Sequence, residues 1–285
     1  MNDKILIFGS GLLGKALGSY LPQNFERRII SHRECDIMNV EGLRKIVAEY
    51  SPTIIVNAAA ITDVDYCETH QQEAFIVNAA GAGYVASIAR DYGARLIHFS
   101  TDYVFDGSKE GLYSEDEEVN PLNTYAKSKY EGEQLVKFSG ANYLIARVQW
   151  LFGEFRETFI DKSIIKLKQG EEVDAVIDQF GSPTYVKYVV YAVGRLLNTD
   201  YIGVVHISSD GVCSRYEQLM FICDLLKLQA GLVRKKKWGN FKCAAIRPHH
   251  IQLNTERLYK LTGFRLPHWK DEVKEYIMYR YGREI

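Results

Sequence analysis

The chain has 285 residues, of which 47% are hydrophobic, and this length can build one large domain or two modest ones around a sizeable core. Its 35 basic and 36 acidic residues give a formal charge of -1, so no net field attracts nucleic acid or an anionic membrane. Composition thus excludes a disordered or fibrous protein. We predict neither a nucleic-acid partner nor a membrane partner.

The cysteines do not form a recognisable framework. Cys35, Cys67, Cys213, Cys223 and Cys243 are odd in number, scattered, and contain no Cys-x-x-Cys, which speaks against both disulfide staples and a zinc site. The first apolar segment is too short for the core of a signal peptide, and no apolar run approaches the roughly 20 residues that span a membrane. We therefore predict a soluble cytoplasmic protein.

Short apolar blocks alternate with helix-length amphipathic segments through the first half of the chain. The strand candidates are residues 5–8, 28–30, 53–56, 95–99 and 143–146. Such alternation is typical of an α/β protein with a doubly wound parallel Rossmann sheet, covered by helices on both faces.

After about residue 150 the alternation becomes looser. Helical patterns over 159–168, 187–197, 215–226 and 271–279 are separated by short strand candidates such as 204–207. We predict a dinucleotide-binding Rossmann domain over residues 1–150 and a smaller C-terminal α/β substrate lobe over residues 151–285. No low-complexity linker separates them, so the two are expected to interleave as one compact unit.

A glycine-rich turn follows the first predicted strand and opens a helix. Gly9, Gly11 and Gly14 form Gly-x-Gly-x-x-Gly in the setting that binds the pyrophosphate of a dinucleotide. The first glycine permits a tight turn, the second admits the phosphates, and the third lets helix and strand pack closely, while the helix N-terminus supplies N–H donors. The alternative is a tight turn without a ligand.

The second predicted strand runs into Ser31, His32 and Arg33, where an NAD-binding protein would place an acidic residue that holds the ribose. These side chains would instead accommodate the 2′-phosphate of NADP, with Arg33 supplying permanently charged donors. An exposed basic loop without a ligand is the alternative. NADPH is the predicted cofactor, and NADH remains the alternative.

Tyr125 and Lys129 are four residues apart in a predicted helix, so their side chains share one face. A neighbouring ammonium stabilises a phenolate and lowers the pKa of a tyrosine from about 10, which prepares the phenol to protonate an alkoxide. With 19 tyrosines in the chain, about one Tyr-x-x-x-Lys is expected by chance, so the rest of the sequence must decide.

Several longer segments resemble the dTDP-4-dehydrorhamnose reductases, sugar-nucleotide reductases of the extended short-chain dehydrogenase/reductase superfamily. The matching segments are residues 57–65, residues 100–107, the Tyr125 and Lys129 pair, Trp150 and residues 178–184. They occur in the family's order from the N-terminus to about residue 184.

The resemblance implies a role for each matching residue. Thr101 would orient the substrate carbonyl, Tyr125 would donate the proton, and Lys129 would tune Tyr125 and hold the nicotinamide ribose. Together with the glycine turn and the loop after the second strand, the predicted cofactor-binding residues are Gly9, Gly11, Leu12, Leu13, Gly14, Ser31, His32, Arg33, Asp36, Ile37, Ala59, Ala60, Ile61, Thr62, Asn78, Phe99, Tyr125 and Lys129. The implied substrate-binding residues are Thr101, Asp102, Tyr103, Trp150 and Arg247.

Some of these residues have structural alternatives. Residues 58–60 would suit close strand–helix packing whatever was bound, Asp36 could cap the helix that begins near Val40, and Trp150 could be a core residue. A catalytic metal is not expected, because His249 and His250 are adjacent and point in different directions.

Three departures from the family affect the expected specificity. The first two glycines of the turn are closer together than is usual in the family. Arg247 and Pro248 lead into His249 and His250 rather than an Asn-Ser pair. Gln149 occupies a position where a small hydroxyl residue is usual.

The sequence therefore predicts NADPH-dependent reduction of the 4-keto group of a nucleotide-activated 6-deoxy sugar. The favoured reaction converts dTDP-4-dehydro-L-rhamnose to dTDP-L-rhamnose for polysaccharide biosynthesis. Alternatives are a reductase or epimerase/reductase of another sugar nucleotide, and a non-catalytic NADP-binding regulatory subunit like that of S-adenosylmethionine synthase. Whether the chain forms a homodimer stays open.

Overall fold

The computed structural model describes residues 3–282. Its centre is a six-stranded parallel sheet in the order β6-β5-β4-β3-β1-β2. These strands are β1 (Lys4–Phe8), β2 (Glu26–Ile30), β3 (Ile54–Asn57), β4 (Arg95–Thr101), β5 (Tyr143–Val148) and β6 (Gly203–Ile207). The predicted doubly wound α/β fold is confirmed.

Helices cover both faces of this sheet. They are α1 (Leu12–Tyr20), α2 (Val40–Tyr50), α3 (Val64–Thr69), α4 (Gln71–Phe75), α5 (Gly81–Asp91), α6 (Thr124–Phe138), α7 (Phe159–Lys168), α8 (Val186–Leu196), α9 (Arg215–Leu226), α10 (Glu256–Thr262) and α11 (Trp269–Tyr281). A π-helical segment, Ile76–Ala80, joins α4 to α5.

Strand β1 shows why the sheet is buried on both faces. Ile5 and Ile7 belong to a core with α1 and α8, whereas Leu6 and Phe8 belong to a second core with α2 and α5. Successive side chains of a strand point to opposite faces, so an uninterrupted apolar run requires helices on both sides.

The second half of the chain completes the sheet rather than forming a separate layer. Strand β6 is its edge strand beside β5, and α8 packs against α1. Residues 173–176 and 233–236 form a small parallel pair of their own beside α9. The division into domains at residue 150 stays a prediction, and the two parts share both the sheet and its core.

Short two-residue strands connect the loops above the sheet. They are Leu112–Tyr113, Leu151–Phe152, Phe180–Gly181, Thr184–Tyr185, Cys213–Ser214 and Gln252–Leu253. They pair with one another in separate two-stranded ladders, and the segment directly after Trp150, Leu151–Phe152, pairs in parallel with Thr184–Tyr185. Within residues 3–282, no helix is both long and apolar enough to cross a membrane.

The order in which the chain adds strands to the sheet changes side between β1 and β3. The chain passes from β1 to β2 at one edge, then crosses to β3 on the other side of β1 and continues outward through β4, β5 and β6. Open α/β sheets bind ligands at such a switch point, outside the carboxyl ends of the strands. A cleft lies at this point, lined by residues at the ends of these strands.

Candidate functional site

A cleft of about 810 Å³ opens at the carboxyl ends of β1, β3, β4 and β5. It is lined by loops of the first half and by residues that follow Trp150. The predicted site residues that line it are Gly9, Gly11, Leu12, Leu13, His32, Asp36, Ile37, Ala59, Ala60, Ile61, Thr62, Phe99, Thr101, Asp102, Tyr103, Tyr125, Lys129 and Trp150. Gly14, Ser31, Arg33, Asn78 and Arg247 are not part of the lining.

The glycines of the first turn serve different purposes. Gly9 has φ +106°, and a Cβ there would lie 2.7 Å from the Ala58 carbonyl carbon. A Cβ on Gly14 would lie 1.8 Å from the Gly9 oxygen, so Gly14 permits the turn to close. A Cβ on Gly11 would meet no protein atom within 4 Å. Gly11 therefore leaves space at the N-terminus of α1, where the first N–H groups lack helical partners.

The loop after β2 places only one of its three predicted residues in the cleft. His32 lines it, whereas Arg33 is exposed and the Ser31 hydroxyl accepts a hydrogen bond from Glu34 N. Asp36 also lines the cleft, and its side chain accepts from Met38 N. The alternative in which Asp36 caps α2 is wrong, because Asn39 is the cap.

Asn78 lies behind the cleft and holds one of its walls. Its amide accepts a hydrogen bond from Ile61 N at 2.9 Å and donates to Ile61 O at 3.0 Å. It also donates to Ser128 Oγ on α6 at 3.0 Å. Asn78 thus joins the loop after β3 to the helix that carries Tyr125 and Lys129.

Thr101, Tyr125 and Lys129 all line the cleft. Thr101 ends β4, and the other two lie one turn apart on α6, which Asn123 caps through a bond from Ala126 N at 2.9 Å. The Tyr125 ring meets the Tyr103 ring edge to face, with centroids 6.2 Å apart. All three predicted catalytic side chains line the same cavity.

Burial sets the protonation of this group. The phenol of Tyr125 has its pKa raised above the usual value by burial, while the neighbouring Thr101 side chain acts in the opposite direction. The expected lowering of the Tyr125 pKa is therefore wrong, because desolvation by burial is the largest influence on it and Asp102 acts in the same direction. The phenol keeps its proton at neutral pH and stays available as a donor.

Lys129 is a buried ammonium with a lowered pKa. Burial lowers its pKa to about 8, and the carboxylate of Glu133, one turn further along α6, opposes that change. Glu133 is itself fully buried and bonds Arg147 through both oxygens, at 2.8 and 2.7 Å. Lys129 therefore remains mostly charged at neutral pH.

Asp102 places a second titrating group beside Thr101. The Thr101 hydroxyl donates to Asp102 Oδ1 at 3.0 Å, whereas Oδ2 is buried without a protein partner among residues 3–282. Burial raises the pKa of this carboxyl to about 7, and contacts with Thr101 and Gln149 partly offset the rise. This oxygen can accept a hydrogen bond from a group that enters the cleft.

Trp150 is strained and faces the cleft. Its φ of +39° is rare for a bulky residue, and such backbone costs on the order of 1–3 kcal/mol. The Arg215 guanidinium lies 3.7 Å from the centroid of its ring, and Gly181 packs closely against the same ring. Because the side chain lines the cleft, the alternative of a purely core tryptophan is not what the structure has.

Arg247 is held outside the cleft lining. Its two terminal nitrogens bond the Asp65 carboxylate at 3.1 and 2.7 Å, and its guanidinium lies over the Trp238 ring. The neighbouring histidines are separated: His250 stacks on Phe180, whereas His249 contacts Asp178 O. Among residues 3–282 no group of three or more His, Cys, Asp or Glu could hold a metal.

Sequence reasoning missed part of the lining. The missed residues are Ser10, Ile30, Cys35, Ala58, Val64, Glu73, Val77, Ser100, Val148, Leu151, Arg156, Glu157, Thr158, Phe159 and Lys162. Those after Trp150 come from the loop before α7 and its first turn, which fold back over the cofactor half. No local motif marks this segment, so only the tertiary fold identifies it.

The glycine turn and the Thr101, Tyr125 and Lys129 group in one cleft define an α/β protein with a site of the short-chain dehydrogenase/reductase type. The family model described as RmlD substrate binding domain matches residues 3–281. The chain belongs to this family.

Named relatives cover nearly the whole chain. The spore coat polysaccharide biosynthesis protein SpsK of Bacillus subtilis (strain 168) is 33% identical over 97% of this chain and 98% of the relative. The dTDP-4-dehydrorhamnose reductase of Aggregatibacter actinomycetemcomitans is 31% identical over 95% of this chain and 97% of its own length.

Solved structures give the same result. The dTDP-4-dehydrorhamnose reductase of Bacillus anthracis, in complex with NADP, superposes with a TM-score of 0.93 at 34% identity, covering 98% of this chain and all of the other (100%). A dTDP-4-dehydrorhamnose reductase from Clostridium acetobutylicum gives 0.91, also at 34% identity, over 96% of this chain and 98% of its own.

Proposed function

We propose that the chain is an NADPH-dependent reductase of the 4-keto group of a nucleotide-activated 6-deoxy sugar. The favoured substrate is dTDP-4-dehydro-L-rhamnose, which would yield dTDP-L-rhamnose. The observation that carries the proposal is the convergence of Thr101, Tyr125 and Lys129 in a cleft that begins at the Gly9 turn. The names of the relatives support this substrate class.

The residues around the α1 N-terminus fit a dinucleotide. Gly11 leaves open space beside unpaired N–H groups, the surroundings that suit a pyrophosphate. His32 lines the cleft with Arg33 next to it in the chain, and we expect this basic loop to accommodate the 2′-phosphate of NADP. The structure of the Bacillus anthracis relative with NADP supports NADPH over NADH.

The cofactor, when bound, supplies hydride to the carbonyl carbon of the substrate. The carbonyl oxygen then gains negative charge, and the residues of this chain stabilise that charge. Thr101 Oγ1 orients the oxygen, Tyr125 donates its phenolic proton to it, and the Lys129 ammonium stabilises the resulting phenolate. These contacts strengthen in the transition state because the charge develops there.

The site includes a group that would hold the sugar during this step. Asp102 Oδ2 is buried and has no hydrogen-bond partner among the described residues, so a sugar hydroxyl could donate to it. Trp150 would pack against the sugar ring. Fixing the ring in this way keeps the carbonyl within reach of Thr101 and Tyr125.

The proposal is tested by mixing the purified chain with NADPH and dTDP-4-dehydro-L-rhamnose. Absorbance of the reduced nicotinamide should fall, and dTDP-L-rhamnose should appear in equal amount. A parallel assay with NADH should give a lower kcat/KM. Failure to oxidise NADPH with this and other 4-keto sugar nucleotides would contradict the proposal and favour the non-catalytic binding subunit.

A further inference from the structure

Asp161 is a fully buried carboxylate in the first turn of α7. Its Oδ2 accepts hydrogen bonds from Thr158 N at 2.8 Å and from Thr158 Oγ1 at 2.9 Å. Its Oδ1 accepts from the hydroxyls of Tyr276 at 2.5 Å and Tyr281 at 2.8 Å, and it pairs with Arg280 Nε at 3.2 Å. A carboxylate is buried only where donors offset the loss of water, and three of the donors here come from α11, 115 or more positions later in the chain.

The end of α11 holds the chain before α7 at two points. Arg280 Nη1 donates to Glu154 O at 3.1 Å, in addition to its pairing with Asp161. Burial, together with the hydrogen bond to Asp161, raises the pKa of Tyr276 and of Tyr281 above the usual value, so both hydroxyls keep their protons at neutral pH. The end of α11 is thus fixed both to Glu154 and to Asp161.

Residues 154–162 form a cover segment between α1 and the cleft. The Phe155 ring meets the Tyr20 ring edge to face, with centroids 5.9 Å apart. Tyr20 is the last residue of α1, whose N-terminus borders the open space beside Gly11. The segment contributes to the lining of the cleft Arg156, Glu157, Thr158, Phe159 and Lys162. It therefore joins the cofactor-facing helix to the wall of the cleft.

The middle of the cover segment has few contacts of its own. Arg156 and Glu157 are exposed, and neither side chain forms a hydrogen bond or an ion pair with another residue of the described range 3–282. The position of this stretch is therefore set mainly by the anchors at Glu154 and Asp161. A stretch of chain that is anchored only at its ends can open locally while the rest of the fold stays intact.

We propose that Asp161 is a positioning residue that keeps the cover segment closed over bound NADPH. The proposal rests on the proposed function, because it takes the cleft to hold this cofactor. Asp161 does not line the cleft, so it acts through the segment and not on the cofactor itself. When the segment is closed for only part of the time, the apparent Kd for NADPH rises by the inverse of that fraction. Bound NADPH in return favours the closed segment.

Removal of single hydroxyls from α11 tests this role. Tyr276→Phe and Tyr281→Phe each delete one donor to Asp161 and keep the aromatic ring. Fluorescence titration should show NADPH binding weakened by about 3- to 10-fold in each variant, and by more in the double variant. With NADPH and substrate saturating, kcat should stay within about twofold, because the catalytic side chains are untouched.

Tyr279→Phe is the matched control. Tyr279 lies on the same helix and is 72% exposed, so this variant should bind NADPH as the unaltered chain does. Asp161→Asn keeps the size of the side chain but exchanges an acceptor for a donor, and it should weaken NADPH binding most. Thermal unfolding checks that each variant folds, and the two Phe variants decide the test if the Asn variant does not fold.

Trypsin measures the opening of the cover segment directly, because it cleaves after arginine and Arg156 lies within the segment. Mass spectrometry should show faster cleavage after Arg156 in Tyr276→Phe and Tyr281→Phe than in the unaltered chain. NADPH should slow this cleavage in the unaltered chain. Tyr279→Phe should be cleaved at the unaltered rate.

A purely structural role would lower Tm in the Phe variants without changing the Kd for NADPH or the cleavage after Arg156, and this result would overturn the proposal. An equal loss of NADPH affinity in Tyr279→Phe, or a fall in kcat with unchanged NADPH affinity, would overturn it as well. If NADPH binding responds as expected but no 4-keto sugar nucleotide is reduced, the proposed function fails and the positioning role stands. If reduction proceeds and NADPH affinity is unchanged in both Phe variants, only the positioning role fails.

Discussion

Lys129 Nζ donates a hydrogen bond of 2.6 Å to the backbone carbonyl of Phe99. This bond joins α6 to β4 two residues before Thr101, so the ammonium, the phenol of Tyr125 and the hydroxyl are fixed relative to one another. Such preorganisation lets a site stabilise a developing charge without rearranging when the reaction occurs.

Replacing Tyr125 by Phe removes the proton donor and keeps the ring. We expect kcat to fall by about 100-fold or more, with NADPH affinity within about twofold, because the hydroxyl acts on the transition state. Steady-state kinetics and fluorescence titration of NADPH measure the two effects. Tyr130→Phe, on the same helix but outside the cleft lining, serves as the control. A Tyr125→Phe enzyme with nearly full turnover would remove Tyr125 from the mechanism.

The pH dependence of kcat/KM should follow the ionisation of Lys129. Its pKa of about 8 means that the ammonium is present below that pH and lost above it. We expect kcat/KM to decline above about pH 8, since neutral Lys129 no longer stabilises the phenolate of Tyr125. Glu133→Gln removes the carboxylate that raises the pKa of Lys129, so the decline should begin at lower pH.

His98, Arg147, Asp102 and Tyr125 also face this region, so the profile needs an internal check. Burial holds the pKa of His98 well below its usual value, which keeps it neutral across the range. Lys129→Arg should have a lower absolute rate, but its charge does not titrate in this range. Its profile should be flat from about pH 8 to about 9.5, above the range in which Asp102 titrates with its pKa of about 7, and a decline identical to that of the unaltered chain would exclude Lys129 as its source.

The second and third glycines of the turn, Gly11 and Gly14, should respond differently to replacement by alanine. Gly14→Ala places a Cβ 1.8 Å from Gly9 O, so the turn must open and Tm should fall by several degrees. Gly11→Ala meets no protein atom within 4 Å and should leave Tm nearly unchanged. It occupies cleft space, however, and we expect NADPH binding to weaken by about tenfold or more. Thermal unfolding measures the change in Tm, and titration measures the change in NADPH affinity. A Gly11→Ala chain with normal NADPH affinity would show that the cofactor does not bind at the N-terminus of α1.

The Arg147 and Glu133 pair should matter for stability. Their side chains are 2% and 0% exposed, so Arg147→Met leaves a buried carboxylate whose remaining ion-pair partner is Lys137, 3.9 Å away. Denaturant unfolding should show a loss of about 3–5 kcal/mol, much of which the double variant Arg147→Met/Glu133→Leu should recover. The exposed pair of Arg265 and Glu256 is the control, and Arg265→Met should cost under about 1 kcal/mol. Equal costs at both sites would contradict a desolvation penalty.

Local sequence patterns predicted the first five strands of the central sheet. Short apolar runs located these strands, and the four-residue spacing predicted that Tyr125 and Lys129 share one face of a helix. Such features depend on neighbours in sequence. The position of Thr101 beside them follows from parallel strands that end at one edge.

Features that depend on distant contacts were not predictable. The raised pKa of Tyr125 comes from burial by the whole fold, and the loop before α7 lines the cleft only because it folds back. The stacking of Arg215 on an aromatic ring was also not predictable, because Arg215 is simply the first residue of α9. Its guanidinium lies over the ring of Trp150, which is 65 positions earlier, so the contact exists only in the folded chain.

The edge position of β6 bears on how the protein is made. During synthesis, β5 emerges with one side unpaired, because its partner, residues 203–207, comes more than 50 residues later. An unpaired strand edge attracts other chains. We therefore expect the growing polypeptide to be most prone to aggregation while these intervening residues are being added. A fragment that ends at residue 150 should likewise aggregate rather than fold as an independent cofactor-binding domain.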